Sequence, residues 1–316
     1  MTYILLILGF VFLIKGADYL VKGSSSIAKQ IGISDLVIGL TIVSLGTSAP
    51  ELLVNIIASF KGNADIGIGN ILGSNISNIL LILGISALIF PLKIQKNTTW
   101  KEIPMNLFAA IALLFMANDV FIDKTSTSVL SRIDGLVLMI FFIFFMHYTI
   151  GLAKAHKEKH ESDGKHPILK AVVMAIVGMV GLALGGQWVV NGAVVIAKNF
   201  GLSEALIGLT IVAIGTSLPE LATSAMAAYK RKTDIAIGNI VGSNLFNIFW
   251  VLGLSAVIKP MPFNAVINTD IFVFLAATIM LFASCFFHKK YQIDRFQGAI
   301  FVAAYIGYIV FLVMRG

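Results

Sequence analysis

The chain has 316 residues, of which 58% are hydrophobic and only 12% are charged, and its mean hydropathy is +0.93. An ordinary soluble domain is about 25% charged, so this composition excludes a soluble globular protein and predicts an all-α, polytopic membrane protein. The formal charge of +7 comes from basic residues in short loops, which is typical of membrane topology and not of a nucleic-acid surface.

Ten long apolar stretches follow one another along the chain, and each is predicted to cross the bilayer as a helix. The first starts close to Met1 without a basic n-region or a small-residue cleavage motif, so we interpret it as a retained span and not as a signal peptide. The first and sixth exceed the ~20 residues that one crossing needs, which predicts tilting or partial exposure. The predicted spans cover residues 3–28, 35–60, 66–90, 102–118, 132–151, 169–197, 204–229, 235–258, 267–287 and 295–314.

The only markedly hydrophilic connection lies near the middle of the chain, at residues 154–166. It predicts two halves, residues 1–153 and 169–316, joined by a cytoplasmic linker at 154–168. If both termini lie outside, 15 of the Lys and Arg residues fall in inner loops and six in outer loops. The positive-inside rule therefore predicts a multi-pass cell-membrane protein with both termini on the outer side.

Two segments of the first half recur in the second half at an offset of 169 residues. Residues 38–51 return as 207–220 with 11 of 14 positions identical, and residues 65–78 return as 234–247 with 10 of 14 identical. A shared offset indicates two homologous halves of about five spans each. Because five is odd, the second half must enter the membrane the other way up. The sequence therefore predicts an inverted-topology repeat with a binding site at the midplane, as in many secondary transporters.

Two glutamates, Glu51 and Glu220, lie at matching positions inside otherwise uncharged spans. An ionised side chain near the bilayer centre costs roughly 2.5–3.5 kcal/mol, so such a residue predicts a functional site. A snorkelling or structurally paired carboxylate is the alternative, but no Lys or Arg lies in the neighbouring spans. We therefore expect a bound cation to balance the two charges.

Both glutamates end a Gly-Thr-Ser-x-Pro-Glu motif. Its proline removes a backbone donor and clashes with the preceding turn, which predicts a helix break just before Pro50 and Pro219. A purely structural kink is the alternative. Carbonyl groups freed by a break can line a cavity or coordinate an ion. Thr47, four residues before Glu51, shares its face where helical geometry persists.

The second repeated block contributes neutral oxygen atoms. Ser74 and Asn78 are four residues apart, as are Ser243 and Asn247, so each pair can face one site. Small-residue helix packing is the alternative interpretation of this block. The two interpretations are compatible, because tight packing would bring the oxygen atoms together.

Carboxylate, hydroxyl, amide and carbonyl oxygens together describe a site for a hard cation. Ca²⁺ accepts about 6–8 oxygens in a flexible geometry, whereas Mg²⁺ demands a tight octahedron, so Ca²⁺ is preferred. A softer metal would recruit imidazole or thiolate, and Cys285 is the only cysteine. The linker histidines lie among lysines, which favours a solvated loop over a zinc site; they are His156, His160 and His166.

The paired Gly-Thr-Ser-x-Pro-Glu and Gly-Ser-Asn-x-x-Asn blocks resemble the alpha repeats of the sodium/calcium exchangers, of prokaryotic type, in the calcium/cation antiporter superfamily. The resemblance covers essentially the whole chain. It implies ten transmembrane helices, a first and a sixth helix that slide against the core, and Ca²⁺ bound by Glu51, Glu220 and the carbonyls of Thr47 and Thr216. The Na⁺ ligands that it implies are Ser44, Ser48, Glu51, Ser74, Asn78, Ala213, Ser217, Glu220, Ser243 and Asn247, with Ser44 and Ala213 acting through their carbonyls.

One position departs from the family pattern. Members that resemble this chain carry an acid at the position of Asn247, partnered with an Asn like Asn78. The predicted site therefore has one fewer titratable charge, which leaves open the exchange ratio and whether Na⁺ or H⁺ drives transport. We expect a secondary antiporter that exchanges Ca²⁺ for Na⁺, with a H⁺-coupled exchanger as the alternative.

Two other classes fit the sequence less well. An intramembrane protease is disfavoured because Asp65 and Asp234 lie at span ends and no Ser-His or Ser-Lys pair appears at depth. A Ca²⁺-gated channel is disfavoured by the near-symmetric halves. We thus expect no enzyme activity and no cofactor. The expected partners are inorganic cations and the lipid bilayer, with no nucleic acid and no required oligomer.

Overall fold

The computed structural model describes residues 2–122, 127–155, 167–200 and 213–315. These residues form helices joined by short loops, and four strands of two residues each. The helices are α1 (Thr2–Ile31), α2 (Asp35–Thr47), α3 (Ala49–Lys61), α4 (Ala64–Ile89), α5 (Lys96–Trp100), α6 (Glu102–Met116), α7 (Asp119–Ile122), α8 (Arg132–Ala155), α9 (Ile168–Asn199), α10 (Ala213–Thr216), α11 (Leu218–Tyr229), α12 (Thr233–Ile258), α13 (Ala265–Ser284) and α14 (Arg295–Arg315). The strands are β1 (Leu92–Lys93), β2 (Val129–Leu130), β3 (Met261–Pro262) and β4 (Gln292–Ile293).

Seven of the described helices are long and apolar enough to cross a membrane, and the bent pair α2 and α3 makes an eighth. The fold is therefore an all-helical membrane fold, as the composition predicts. The helix α6 spans 15 residues and α11 spans 12, which leaves both below the length of a full crossing. The count of ten spans stays a prediction.

Helices α4 and α12 form the interior of the molecule. Their most apolar windows are 78% and 83% buried, whereas the corresponding windows of α1, α8, α9, α13 and α14 are between 22% and 39% buried. The outer helices expose large apolar side chains, which is the arrangement expected where lipid and not water surrounds the protein. The second repeated block therefore lies in the most enclosed part of the fold, because it forms the first half of both α4 and α12.

Helices α1 and α9 pack along each other with their backbones in close contact. Glycines recur every seven residues on α1, at Gly9, Gly16 and Gly23, and they face Gly178 and Gly185 on α9. A Cβ atom at Gly16 would lie 2.8 Å from the carbonyl oxygen of Gly178. Small residues permit this approach in membrane helices, where packing and not water exclusion holds helices together.

Three helices contain a π-helical segment. These segments are Gly39–Val43 in α2, Asn78–Ile82 in α4 and Phe246–Leu252 in α12. Asn78 and Asn247 thus both lie in π-helical turns. Such turns interrupt the regular hydrogen-bond ladder and are frequent at functional sites.

The four strands form two small antiparallel sheets. Strand β1 pairs with β4, with Leu92 opposite Ile293, and β2 pairs with β3, with Leu130 opposite Met261. Each sheet joins a loop of the first half of the chain to a loop of the second half. Two residues are too few to show the alternating pattern of a strand, so the sequence does not predict either sheet.

Candidate cation site

The helix breaks lie where the two proline motifs predict them. Helix α2 ends at Thr47 and α3 begins at Ala49, with a bend of 47° between the two helices. In the second half, α10 ends at Thr216 and α11 begins at Leu218. The intervening residues adopt nearly the same non-helical conformation, with φ −83° and ψ 8° at Ser48 and φ −86° and ψ 5° at Ser217. The predicted break is therefore confirmed in both motifs.

Each glutamate lies in the first turn of the helix that follows the break. Glu51 is 0% exposed and Glu220 is 1% exposed. The N-terminus of a helix carries a partial positive charge that favours a carboxylate. The C-terminal end of the preceding helix carries a partial negative charge, and Thr47 and Thr216 are the last residues of α2 and α10.

Serine hydroxyls connect each glutamate to the opposite half of the chain. The Oγ of Ser48 donates a hydrogen bond to Oε1 of Glu220 at 3.0 Å, and the Oγ of Ser217 donates to Oε1 of Glu51 at 3.5 Å. Ser74 in α4 also donates to Oε1 of Glu51, at 3.3 Å. The two broken helices thus meet at one place, and each carboxylate is oriented by residues from both halves.

Threonine hydroxyls make a second pair of contacts between the halves. Oγ1 of Thr47 donates to Oδ1 of Asn239 at 3.0 Å, and Oγ1 of Thr216 donates to Oδ1 of Asn70 at 3.3 Å. Asn70 and Asn239 are 169 residues apart, so the two contacts correspond to each other under the sequence repeat. With their hydroxyls held in this way, Thr47 and Thr216 have their carbonyls at the helix ends, where the resemblance assigns a role.

The two predicted backbone ligands lie one turn before the breaks. The carbonyl of Ser44 accepts a hydrogen bond from the backbone N–H of Ser48 at 3.0 Å. Ala213 is the first residue of α10. The preceding part of the second repeated block, residues 207–212, lies outside the described residues, as do the three histidines of the linker.

Four asparagines form a linked set between α4 and α12. Nδ2 of Asn78 donates to Oδ1 of Asn244 at 2.9 Å, and Nδ2 of Asn247 donates to Oδ1 of Asn75 at 3.0 Å. Nδ2 of Asn75 also donates to the carbonyl of Asn244 at 3.3 Å. The amide groups of Asn78 and Asn247 are therefore oriented by asparagines of the opposite half.

Four buried oxygen atoms around this centre have no hydrogen-bond partner among the described residues. They are Oε2 of Glu51, Oε2 of Glu220, Oδ1 of Asn78 and Oδ1 of Asn247. Buried polar atoms are normally paired, because an unmade hydrogen bond costs about 1–3 kcal/mol. Four acceptors without a donor, drawn equally from both halves, are what a cation site presents before it is filled.

The predicted neutral ligands lie in the same buried region. Ser243 is fully buried, and its Oγ lies 3.5 Å from Oγ1 of Thr47. Ser74 is 1% exposed and contacts Glu51. The structure thus brings the serines and asparagines of the second repeated block against the glutamates of the first.

Sequence reasoning did not assign a role to four asparagines of the repeated block. Asn70 and Asn239 hold the threonines, while Asn75 and Asn244 orient the two asparagines that were predicted. The signal was present, because all four are unchanged under the offset of 169 residues. Identity between the halves was the better guide, and spacing of four residues along one helix was too narrow a criterion.

Ionic contacts lie outside this centre. Lys230 pairs with Asp18 of α1, and Lys232 pairs with Asp35 at 2.9 Å. Neither Glu51 nor Glu220 has an ion pair within the described ranges. These ranges also hold no group of three or more His, Cys, Asp or Glu side chains that could bind a metal. A cation at the centre would therefore rely on two carboxylates and on neutral oxygens, which suits Ca²⁺ or Na⁺ better than a softer metal.

The chain is similar to a known family of transporters. The family described as sodium/calcium exchanger protein matches residues 1–151 and 170–314. The inner membrane protein YrbG of Escherichia coli (strain K12) is 35% identical over 90% of this chain and 88% of its own length. The sodium/calcium exchanger MaX1 of Methanosarcina acetivorans is 30% identical over 99% of this chain and 98% of its own length.

A solved structure has the same fold. The sodium-calcium exchanger NCX_Mj, soaked without Na⁺ and Ca²⁺, is 34% identical to this chain, with a TM-score of 0.84 over 98% of each chain. Other structures of that exchanger come from soaks with Na⁺ and Ca²⁺ or with Na⁺ and Sr²⁺.

Proposed function

Because the chain belongs to the sodium/calcium exchanger family, we propose that it is a secondary active antiporter that exchanges Ca²⁺ for Na⁺ across the cell membrane. The observation that carries this proposal is the buried pair Glu51 and Glu220, each with one carboxylate oxygen that lacks a donor among the described residues. Two buried carboxylates without an ion-pair partner need a cation to balance them.

Ca²⁺ binds between the two glutamates, with the carbonyls of Thr47 and Thr216 at the adjoining helix ends. Sodium ions occupy flanking positions and compete for the same carboxylates. Their ligands are Ser44, Ser48, Glu51, Ser74, Asn78, Ala213, Ser217, Glu220, Ser243 and Asn247. Competition couples the two gradients, because only a site filled by one ion or the other changes its accessibility.

Access alternates through the movement of α1 and α9 against the remaining helices. The glycine-lined contact between α1 and α9 supports this role, since a contact made by backbones and small residues lets the two helices move as one unit. The halves, residues 1–153 and 169–316, are inverted repeats joined by the linker at 154–168, with both termini on the outer side. Each half then opens the site to one side of the membrane.

A H⁺-coupled exchanger is the second candidate. Asn78 and Asn247 are both neutral, so Glu51 and Glu220 are the groups at the centre that a proton could occupy. In that case Ca²⁺ flux follows a pH gradient and ignores Na⁺.

The test is uptake of ⁴⁵Ca²⁺ into proteoliposomes loaded with Na⁺ and diluted into Na⁺-free buffer, with the pH and the membrane potential clamped. We expect uptake that requires the Na⁺ gradient and is abolished by Glu51→Gln and by Glu220→Gln. Uptake that ignores Na⁺ and follows an imposed pH gradient would establish the H⁺-coupled exchanger. Downhill Ca²⁺ flux that needs neither gradient would establish a channel and refute both.

The chain offers a matched control for the glutamate variants. Glu102 in α6 is also fully buried, and it accepts a hydrogen bond from the hydroxyl of Tyr148. It lies outside the repeated motifs. Glu102→Gln therefore removes a buried carboxylate away from the proposed site, and we expect it to retain Na⁺-driven uptake within a few-fold of the unaltered protein.

A further inference from the structure

The centre of the site has two charged and two neutral acceptors. The unpartnered oxygens belong to the carboxylates of Glu51 and Glu220 and to the amides of Asn78 and Asn247. All four residues are at most 1% exposed. Each half of the chain therefore supplies one negative charge and one neutral oxygen.

The neutral oxygens are held in place by a device that the two halves share. Asn244 accepts from the amide nitrogen of Asn78, and Asn75 accepts from that of Asn247. In a planar amide the oxygen and the nitrogen point in different directions, so a fixed nitrogen leaves the oxygen directed elsewhere. Asn75 and Asn244 are thus positioning residues that keep the two Oδ1 atoms available for an ion.

The partners of the glutamates add no further charge. Their hydrogen-bond donors within the described ranges are the hydroxyls of Ser48, Ser74 and Ser217. The hydroxyl of Thr47 and the amides of Asn70 and Asn239 complete the next contacts, and these groups are also neutral. The formal charge of this described set, with both glutamates ionised, is −2.

A buried site of fixed charge constrains what it can carry. Uncompensated charge is expensive in a low-dielectric interior, so a site closed to both sides is most stable when the bound cations cancel its own charge. A charge of −2 is cancelled by one divalent ion or by two monovalent ions. A third monovalent ion would leave the closed site with a net charge.

We infer that the exchange is electroneutral, with two monovalent cations moving against one divalent cation, and that Asn78 and Asn247 determine this ratio by coordinating ions without adding charge. This inference rests on the antiporter function proposed above. It holds for either coupling ion, since two Na⁺ or two H⁺ cancel the same charge.

The first measurement is the Ca²⁺ concentration ratio that proteoliposomes reach at steady state. For exchange of two Na⁺, a tenfold Na⁺ gradient supports a Ca²⁺ ratio of about 100-fold, whereas exchange of three supports about 1,000-fold at zero potential. The potential is then set with K⁺ and valinomycin. We expect no change in the Ca²⁺ ratio, whereas one net charge per cycle would shift it about 50-fold per 100 mV.

The outcomes separate the inference from the function beneath it. If no monovalent gradient drives Ca²⁺ uptake at zero potential, the proposed antiporter function fails. If uptake is driven but its steady state follows the membrane potential, the function stands and electroneutral exchange is refuted. Where a pH gradient replaces Na⁺ as the driving force, the same voltage test is applied with H⁺.

A variant tests whether these positions set the ratio. Asn247→Asp adds a third carboxylate at alkaline pH, and Asn78→Asp adds one from the other half. We expect either variant to require a third monovalent cation and to make the steady-state Ca²⁺ ratio depend on voltage at pH 9. Transport that stays voltage-independent in both variants would refute the assignment to these asparagines. If a variant loses transport altogether, the voltage response of the unaltered protein still decides the main inference.

Discussion

The centre of the molecule and its outer helix pair treat the sequence repeat differently. At the centre, contacts occur in matching pairs, such as Ser48 with Glu220 and Ser217 with Glu51. Along the outer pair the charges do not match. Asp18 in α1 pairs with Lys230, but the offset of 169 residues places Gln187 in α9 opposite an equivalent Lys61, and both of these are exposed.

The difference indicates what each region must do. A site that serves both sides of a membrane has to present similar ligands whichever half faces it, so its pairs match. The outer helices only have to move, and an ion pair present in one half alone favours one arrangement of α1 over its counterpart. Three predictions test this contrast, from the largest expected effect to the smallest.

The largest effect is expected at the matched serines. Ser48→Ala and Ser217→Ala each remove a buried hydroxyl that donates to a carboxylate, and such a bond contributes about 1.5–3 kcal/mol. We expect each variant to raise the half-saturating Ca²⁺ concentration for transport by about 10-fold or more, and by similar factors. Effects that differ by more than about tenfold between the two serines would show that the halves are not equivalent at the centre.

An intermediate effect is expected where α1 meets α9. A Cβ at Gly178 would lie 2.6 Å from the backbone nitrogen of Leu20, whereas a Cβ at Gly181 has its nearest neighbour at 3.4 Å. Forced packing of this kind costs about 1–3 kcal/mol. We expect Gly178→Ala to lower both thermal stability in detergent and turnover, and Gly181→Ala, its matched control on the same helix, to change neither. Equal behaviour of the two variants would contradict the close contact.

The smallest effect is expected at the unmatched ion pair. Asp18 and Lys230 have side chains 23% and 20% exposed, and partly exposed pairs contribute up to about 1 kcal/mol. Asp18→Asn should therefore change stability little. It should alter the balance between inward and outward access, measured as the ratio of Ca²⁺ affinities from the two sides. Gln187→Glu should shift that ratio the opposite way by supplying a partner for Lys61. An unchanged ratio in both variants would remove the ion pair from any role in access.

Much of the central site could be predicted from the sequence. The repeat located the residues, and the chemistry of proline placed the helix breaks within two residues of Pro50 and Pro219. Glu51 and Glu220 stood out because charge is rare within apolar spans. These signals are local or repeated, so they survive without knowledge of the fold.

Other features depend on contacts between distant segments. The pairing of Thr47 with Asn239 joins residues 192 positions apart, and no local pattern announces it. The contact of α1 with α9 depends on glycines whose seven-residue spacing reads as ordinary flexibility until the partner helix is in view. Likewise, the π-helical turns at Asn78 and Asn247 arise from packing of α4 against α12 and not from residue preference.

The two small sheets lie at opposite ends of α6 and α13, since β1 precedes α6 and β2 follows it, while β3 precedes α13 and β4 follows it. Together with these two helices the sheets form a closed frame that contains parts of both halves. A frame tied at both ends resists shear, whereas α1 carries no strand and is held by side-chain and backbone contacts alone. Pulled from its N-terminus by a force probe, the chain should release α1 at low force. It should then resist until the tie between β1 and β4 comes under load.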